Sequence, residues 1–403
     1  MMLGMALLRL AAIAVILFAA PFPTPQSPGA AASTAARVIV RRVPHGGIQP
    51  EAVVDRTGML HLIYFSGPPA GGDLFYVRSR DFGRTFSAPV RVNSQPGSAI
   101  ATGTIRGGQL ALGRGGRVHV VWNGSDTALP RGAMNPDSSK PGAPFLYARA
   151  SVDGRRFEPQ RNLGGNVYSV DGGGTVAADT EGHVYAVWHG NRETDGRGED
   201  HRAVWIARST DDGVGFAPEA MAWPARTGAC GCCQARALAT PPNGLTILYR
   251  SATNLTHRDI YVLSSNDGGA TFAGSIVQPW ELNACPMTSL SLAHAGSHTA
   301  AAWETAGQVF LGVVDREAGR VRSIVAAPGS GAGRKHPRLA ISEAGVTLMV
   351  WAEQTGWARG GSVAWQAFDA AGPTGATGSA PALAAWSFAT AVARPDGGFV
   401  VLY

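Results

Sequence analysis

The chain has 403 residues, of which 45% are apolar and only 15% are charged, and it contains 53 glycines. This composition fits a large core reached by many short strands and tight turns, and it excludes a largely disordered chain. The formal net charge of +6 comes mostly from arginines scattered along the chain, whereas nucleic-acid-binding proteins cluster their basic residues. We therefore expect no nucleic-acid partner.

An apolar stretch at residues 7–20 has Arg9 near its start and is followed by small residues and prolines. This pattern is typical of a secretory signal, and the alanines at 30–32 offer a cleavage region. We predict that residues 1–35 are a signal peptide with a flexible segment. We therefore expect the protein to be secreted or periplasmic. It would be attached to a membrane only if the signal segment is not cleaved.

A pattern of two β-rich segments joined by a Gly, Asn or Asp turn recurs along the rest of the chain. The first copy covers residues 50–65, and the later copies end at Trp122, Trp188, Tyr249, Trp303, Trp351 and Tyr403. Most copies continue into a third strand, such as LFYVRS, and a shorter fourth, such as FSAPVRVN. The pattern predicts an all-β fold, a β-propeller of four-stranded blades.

The two chain ends complement each other in this pattern. The seventh copy stops after its second strand at Tyr403, while residues 37–43 form a single strand at the start. Pairing these strands would close the ring and cover both sheet edges. We predict one propeller domain over residues 36–403, with seven blades. Six blades is the alternative, if the final hairpin packs elsewhere.

A short motif, S-x-D-x-G-x-x-F, connects the third and fourth strands in three repeats, at residues 79–86, 209–216 and 265–272, and a copy one residue shorter covers 151–157. Its aspartates, Asp81, Asp211 and Asp267, can bond the turn backbone, so we assign them a structural role. These motifs, set in four-stranded repeats, resemble the Asp boxes (BNR repeats) of sialidase-like β-propellers. The resemblance extends over nearly everything after residue 36.

The resemblance implies the propeller fold but not one activity, since the family includes sialidases, other glycoside hydrolases and noncatalytic binding proteins. For a sialidase it implies three arginines that hold a sugar carboxylate, a tyrosine nucleophile paired with a glutamate, and an aspartate acid. The Arg-Ile-Pro motif that normally supplies the first arginine is replaced by Pro-His-Gly-Gly-Ile-Gln-Pro at residues 44–50. This departure argues against cleavage of sialic acid.

The strand directions place the loops before the first strand and after the second strand of each hairpin on one face, which we call the mouth. It includes residues 45–49, 103–106, 170–174, 228–234 and 283–287. The candidate ligand-binding residues on this face are Arg106, Arg250, Arg258 and His189. Clustered guanidinium groups would bind a carboxylate, sulfate or phosphate. The alternative is that they pair with neighbouring carboxylates and tie loops together.

Three carboxylates on the mouth are candidates for acid and base catalysis: Asp171, Glu304 and Glu353. In a hydrolase, Asp171 would be the acid, and Glu304 or Glu353 would be the base or would support the nucleophile. The alternative for each is a structural hydrogen bond within its loop.

All four cysteines of the chain lie in two neighbouring loops of the mouth. Cys230, Cys232 and Cys233 precede the fourth hairpin, and Cys285 precedes the fifth beside Met287. Export to an oxidising compartment favours disulfides, with Cys232 or Cys233 bonded to Cys285. The alternative is a soft-metal site for copper(I) or zinc, formed by the thiolates with Met287, with or without a nearby histidine.

Together these features predict an exported sialidase-like propeller that recognises a glycan or another small anionic ligand in its mouth. Glycoside hydrolysis is the expected activity if the protein is an enzyme. A noncatalytic binding or assembly propeller and a cysteine-lined metal protein are the two alternatives.

Overall fold

The computed structural model describes residues 37–329 and 333–403, so the predicted signal segment lies outside the described residues. Within these two ranges there is no α-helix, and no helix long and apolar enough to cross a bilayer. The helical elements are four short 3-10 turns: Pro44–Gly46, Arg114–Gly116, Glu193–Asp195 and Glu199–His201. Nearly all remaining regular structure is β-strand, as the sequence pattern predicts.

The strands form seven sheets, or blades, and strand β1 (Val38–Arg41) belongs to the last of them. Blades 1 to 3 contain β2 (Ile48–Val54), β3 (Leu60–Ser66), β4 (Asp73–Ser79), β5 (Val90–Arg91); β6 (Gln109–Leu112), β7 (Val118–Asn123), β10 (Phe145–Arg149), β11 (Arg161–Asn162); and β12 (Thr175–Ala178), β13 (Val184–Gly190), β14 (Ala203–Ser209), β15 (Ala220–Met221). A separate hairpin in blade 2 is formed by β8 (Met134–Asn135) and β9 (Lys140–Pro141).

Blades 4 to 6 repeat the four-stranded arrangement. Their strands are β16 (Arg236–Thr240), β17 (Gly244–Arg250), β18 (Ile260–Ser265), β19 (Ala273–Gln278); β20 (Ser291–Ala295), β21 (His298–Thr305), β22 (Gln308–Asp315), β23 (Arg320–Ala326); and β24 (Lys335–Ile341), β25 (Thr347–Glu353), β26 (Gly361–Asp369), β27 (Gly372–Leu383). Blade 7 contains β28 (Thr390–Ala393), β29 (Phe399–Leu402) and β1.

The blades form a closed ring of seven. The innermost strands contact one another in the order β2, β6, β12, β16, β20, β24 and β28, and β28 contacts β2 again. Strand β1 closes blade 7 by pairing in parallel with β29, from Val38 opposite Phe399 to Arg41 opposite Leu402. The predicted seven blades and closure by the N-terminal strand are thus confirmed. Among the described residues, blade 7 contains these three strands.

The second strand of each hairpin is buried on both faces, since each blade packs between two neighbours. All six residues of β7 are buried, as are all seven of β13. Trp122, Trp188 and Trp303 fill the space between blades and are each at most 1% exposed. The outermost strands have one solvent face, and β23 is exposed along most of its length.

The Asp-box turns lie on the face opposite the mouth. In the first box, the Ser79 hydroxyl donates to Asp81 Oδ1 (2.8 Å), and the Thr85 backbone N–H donates to the same oxygen (2.9 Å). The hydrogen bonds from Thr85 lower the pKa of Asp81 to about 2. Asp211 and Asp267 accept equivalent bonds from residues four ahead. In the shortened copy, Asp153 instead accepts from the N–H of Arg155, two residues ahead.

Candidate functional site

The central channel has a cavity of about 540 Å³ at the Asp-box face. Leu110, Val176, Leu238, Leu292 and Leu339 give it a largely apolar wall. This cavity is not on the face where the sequence pattern predicts the site, although Glu51, Arg236, Asp55, Arg56, Thr57 and Thr180 give it polar groups as well.

A buried polar layer crosses the channel between this cavity and the mouth. Arg236 of blade 4 donates to Glu51 of blade 1 and to Gln109 of blade 2. Arg338 of blade 6 lies 3.7 Å from Glu51 and donates to the side-chain oxygen of Gln234 (3.0 Å). Burial lowers the pKa of Arg338 to about 10. Sequence analysis missed this layer, although its three charged members each precede an apolar run within an inner strand: Glu51 before AVV, Arg236 before ALA and Arg338 before LAI.

At the mouth, a hollow of about 90 Å³ lies between blades 2, 5, 6 and 7. Two tryptophans line it: Trp357, which is 64% exposed, and Trp386, with ring centroids 6.3 Å apart and the planes nearly perpendicular. Lys335, Arg359 and Met287 complete its wall. In the part of the chain that the structure describes, neither Lys335 nor Arg359 has a carboxylate within 4.0 Å. An aromatic platform and two cations therefore share this hollow, and the Lys335 ammonium also donates to the backbone oxygen of Pro286.

Two of the predicted residues, Arg106 and Asp171, form an ion pair beside this hollow. Gly103 lies between this ion pair and the hollow, because a Cβ atom at position 103 would lie 3.3 Å from both the Arg106 guanidinium and the Met287 methyl. Gly103 also has a φ of +86°, which favours glycine. The Asp171 side chain is 44% exposed, so it is the accessible member of the three predicted carboxylates.

The predicted pair Arg250 and Glu304 lies deeper, and both residues are only 2% exposed. The Arg250 guanidinium donates to the backbone oxygens of Arg258 and Glu304, and it is 3.7 Å from the Glu304 carboxylate. Burial raises the pKa of Glu304, and the charge of Arg250 only partly opposes this. Both side chains therefore stabilise the loops beneath the mouth, and the structure gives neither of them a path to solvent.

The remaining predicted residues are separated from the hollow. Arg258 donates to Glu199 (2.7 Å), and Glu353 accepts from Arg334 (3.0 Å) and from the Trp351 indole (2.8 Å). His189 is buried, and its Nε2 lies 3.0 Å from the backbone oxygen of Cys233. Burial lowers the pKa of His189, so its imidazole is neutral at physiological pH.

The cysteines converge at the mouth as their spacing predicts. The Cys230 sulfur lies 3.1 Å from that of Cys233 and 3.4 Å from that of Cys232, and all three side chains are buried. Cys285, in the neighbouring loop, is exposed. Met287 packs against the buried three. We call these five residues the sulfur cluster.

The predicted disulfides are not present, because all four cysteines are free thiols. Even the shortest sulfur separation, 3.1 Å, exceeds an S–S bond of about 2.05 Å. The physical reason is that the sulfurs converge on one point, with Cys230 between its neighbours, instead of separating into two pairs. Of the two alternatives for the cysteines, this arrangement resembles a ligand set, since the thiol sulfurs of Cys230, Cys232 and Cys233 all lie within 4.8 Å of one another.

The surroundings of the sulfur cluster favour negative charge. Burial raises the pKa of Cys233, but hydrogen bonds from the Cys230 and Cys232 thiols and the charge of Arg250 outweigh it, and the pKa falls well below its usual value. A hydrogen bond from Cys230 is the main cause that lowers the pKa of Cys285 to about 6.

Neither a protein-family model nor a curated protein sequence matches this chain. Among solved structures, a protein of unknown function from Dyadobacter fermentans has a TM-score of 0.53 and 14% identity, and the match covers 83% of this chain and 97% of that one. The NanB sialidase of Streptococcus pneumoniae has a TM-score of 0.52 and 10% identity, covering 81% of this chain and 68% of that one.

An α-L-arabinanase of Penicillium chrysogenum, solved with arabinobiose, has a TM-score of 0.51 and 15% identity, covering 81% of this chain and 94% of that one. At such low identities the likeness concerns the fold and not the reaction. It agrees with the closed ring of blades. The chain therefore has the fold of the sialidase-like β-propellers, with seven blades.

Proposed function

We propose that the protein recognises a glycan or a similar anionic ligand at its mouth. The single observation that carries this proposal is the exposed Trp357 beside Trp386, in a hollow that also contains Lys335 and Arg359. A concave site lined by aromatic side chains with a few polar or charged groups beside them is typical of small-ligand binding.

The chemistry of the hollow suits a charged sugar. The face of Trp357 can pack on the apolar face of a sugar ring, while Lys335 and Arg359 can bind a carboxylate or sulfate on it. Thr104 and Thr355 add hydroxyl groups that can bond sugar hydroxyls. Because the hollow is small, it suits one sugar unit or its charged substituent, and the rest of a chain would lie along the mouth.

Calorimetric titration with 3'-sialyllactose, beside neutral lactose, tests the proposal. The charged sugar should bind more tightly, and Trp357→Ala should weaken its binding by about tenfold, the loss expected for one aromatic contact. Arg359→Gln should reduce the preference for the charged sugar. The matched controls are Val214→Ala and Arg322→Gln, which change exposed residues away from the mouth. Equal binding by wild type and Trp357→Ala would contradict the proposal.

A glycoside hydrolase is the second candidate, and the position of Asp171 favours it. This exposed carboxylate is paired with Arg106 directly beside the hollow, whereas Glu304 is buried. The lining of the hollow contains no tyrosine, so a tyrosine nucleophile is not part of this candidate. Asp171→Asn should abolish release of the chromophore from a panel of nitrophenyl glycosides, while Asp153→Asn, on the opposite face, should not. Binding without turnover would leave the noncatalytic alternative.

We also propose that the protein acts outside the cytoplasm, on the basis of residues 7–20 and the alanines at 30–32. The N-terminal sequence of the protein recovered from the periplasm or the medium tests this. A start shortly after residue 32 supports cleavage. Protein that remains in the cytoplasm with residue 1 intact contradicts export.

A further inference from the structure

The sulfur cluster has a composition and position that the proposed glycan site does not use. It brings together three buried thiols, one exposed thiol and one thioether in two adjacent loops. We propose that the cluster is a binding site for one soft thiophilic cation, copper(I), held by Cys230, Cys232 and Cys233 with Cys285 or Met287 as a further ligand.

The donor atoms that converge at the cluster are sulfurs, although the buried Nδ1 of the neighbouring His189 also has no hydrogen-bond partner. His189 has its Nε2 engaged by the backbone oxygen of Cys233, and the Glu199 carboxylate accepts from the N–H of Gly231 (2.7 Å) and from Arg258. Hard cations such as magnesium or calcium need several oxygen ligands, which the cluster does not offer. Thiolate and thioether together favour copper(I), whereas zinc in proteins uses thiolate, imidazole and carboxylate.

The cluster is held in place by hydrogen bonds that do not use the sulfur side chains. The backbone N–H of Cys233 donates to Cys230 O (3.2 Å), and that of Cys230 donates to Arg250 O (2.9 Å), so the loop forms a tight turn. Gly231 is necessary in this turn, because a Cβ atom there would overlap the guanidinium of Arg202. Such support around the ligands fixes their positions before a metal arrives.

Three arginines provide the charge balance that a thiolate site requires. The backbone N–H of Cys230 donates to Arg250 O, which holds the buried Arg250 beside the turn. Arg258 donates to the Glu199 carboxylate that accepts from the N–H of Gly231, and Arg202 packs on Gly231. Copper(I) bound by three thiolates leaves two negative charges, which are costly in a buried site without such cations.

The site also has a route for the ion. Cys285 is exposed at the mouth, whereas Cys230, Cys232 and Cys233 are at most 8% exposed. A cation can therefore be captured by Cys285 and passed inward to the buried thiolates. Met287 lines both the sulfur cluster and the glycan hollow, so the two sites share one wall.

Anaerobic titration of the reduced mature protein with copper(I), in competition with the chelator bathocuproine disulfonate, tests the proposal. We expect one copper(I) per chain and a thiolate-to-metal absorption band in the ultraviolet. Cys233→Ser should weaken binding by more than about 100-fold, and Glu199→Gln, which loosens the turn, by about tenfold. Met287→Leu should also weaken it. The matched control is Met221→Leu, which should bind copper(I) like the wild type.

Circular dichroism of each variant shows whether it folds. If Cys233→Ser does not fold, Cys285→Ser tests the proposal instead, because an exposed thiol can be replaced without disturbing the core. The Cys285→Ser variant should capture copper(I) more slowly at unchanged stoichiometry, or bind it more weakly. The proposal is overturned by failure of the wild type to take copper(I) from the chelator. It is equally overturned by zinc(II) that copper(I) cannot displace, or by an intact mass that shows the cysteines oxidised in pairs in the native protein.

Discussion

Glu51 supplies the negative charge that balances two arginines in the channel. It is 3% exposed and contacts two arginines, Arg236 and Arg338, of which Arg338 is itself fully buried. Replacement of one partner in a buried ionic group leaves the others without a counter-charge. Glu51→Gln should therefore lower the free energy of unfolding by about 3 kcal/mol, measured by urea denaturation.

The matched control for this change is Glu317→Gln, which replaces an exposed glutamate in a surface turn. It should change the free energy of unfolding by less than about 0.5 kcal/mol. Equal stability of Glu51→Gln and the control would mean that the two arginines do not need the carboxylate.

Single residues show where sequence reasoning ends. The convergence of the cysteines could be predicted, because their loops precede consecutive hairpins and consecutive blades are neighbours. The contact of Arg236 with Glu51 joins residues 185 positions apart across the channel, so no local pattern indicates it. The pairing of Trp357 with Trp386 likewise depends on how the loops of blades 6 and 7 fold over the mouth.

At the scale of the element, the complete Asp-box turn should stabilise its blade more than the shortened one. Asp81 accepts hydrogen bonds from Ser79, Arg84 and Thr85, whereas Asp153 accepts from Ser151 and Arg155 alone. Asp81→Ala should lower the free energy of unfolding by about 1 kcal/mol, and Asp153→Ala by less. Thermal unfolding of both variants measures the difference, and a larger loss in Asp153→Ala would contradict this assignment.

The inner hairpins could be predicted from the sequence because apolar runs joined by Gly, Asn or Asp turns have few other folds. The outer strands could not be bounded in the same way. The segment FSAPVRVN in blade 1 contributes only the two-residue strand β5. An outermost strand buries one face at most, so hydrophobic periodicity marks it weakly.

For the whole molecule, strand β1 should be necessary for ring closure. It pairs with β29 over Val38–Arg41 and covers the last hairpin of the chain. A chain that starts after Arg41 leaves the edge of β29 open, and it should melt at least about 5 °C below a reference chain that starts at Arg37. Circular dichroism measures both midpoints. Equal midpoints would show that the ring holds without this strand.

Acid should destabilise the folded protein, because the folded protein buries histidines in their neutral form. Burial lowers the pKa of His336 to about 3, with Lys335 and Arg338 acting in the same direction, and lowers the pKa of His61, His119 and His189 as well. Below pH 6.5 the unfolded chain binds protons that the native state does not, so stability is present above this pH and lost below it. Glu304, with its raised pKa, opposes this trend as a single group.

The free energy of unfolding should therefore fall as the pH is lowered from about 7.5 to 5.5. Below about pH 6.5, each buried histidine contributes a loss of up to about 1.4 kcal/mol per pH unit. Urea denaturation at both pH values measures it. In His336→Gln the slope should be smaller. A free energy of unfolding that does not change over this range would contradict the burial of neutral imidazoles.

The measurement that tests the central claim most directly is a crystal structure of the protein soaked with 3'-sialyllactose. The claim is that ligands bind at the mouth and not in the apolar channel of the opposite face. We predict density for the sugar against Trp357, with its carboxylate near Lys335 and Arg359. Density in the channel between Leu110, Val176 and Leu292 would contradict the claim and would move the functional site to the Asp-box face.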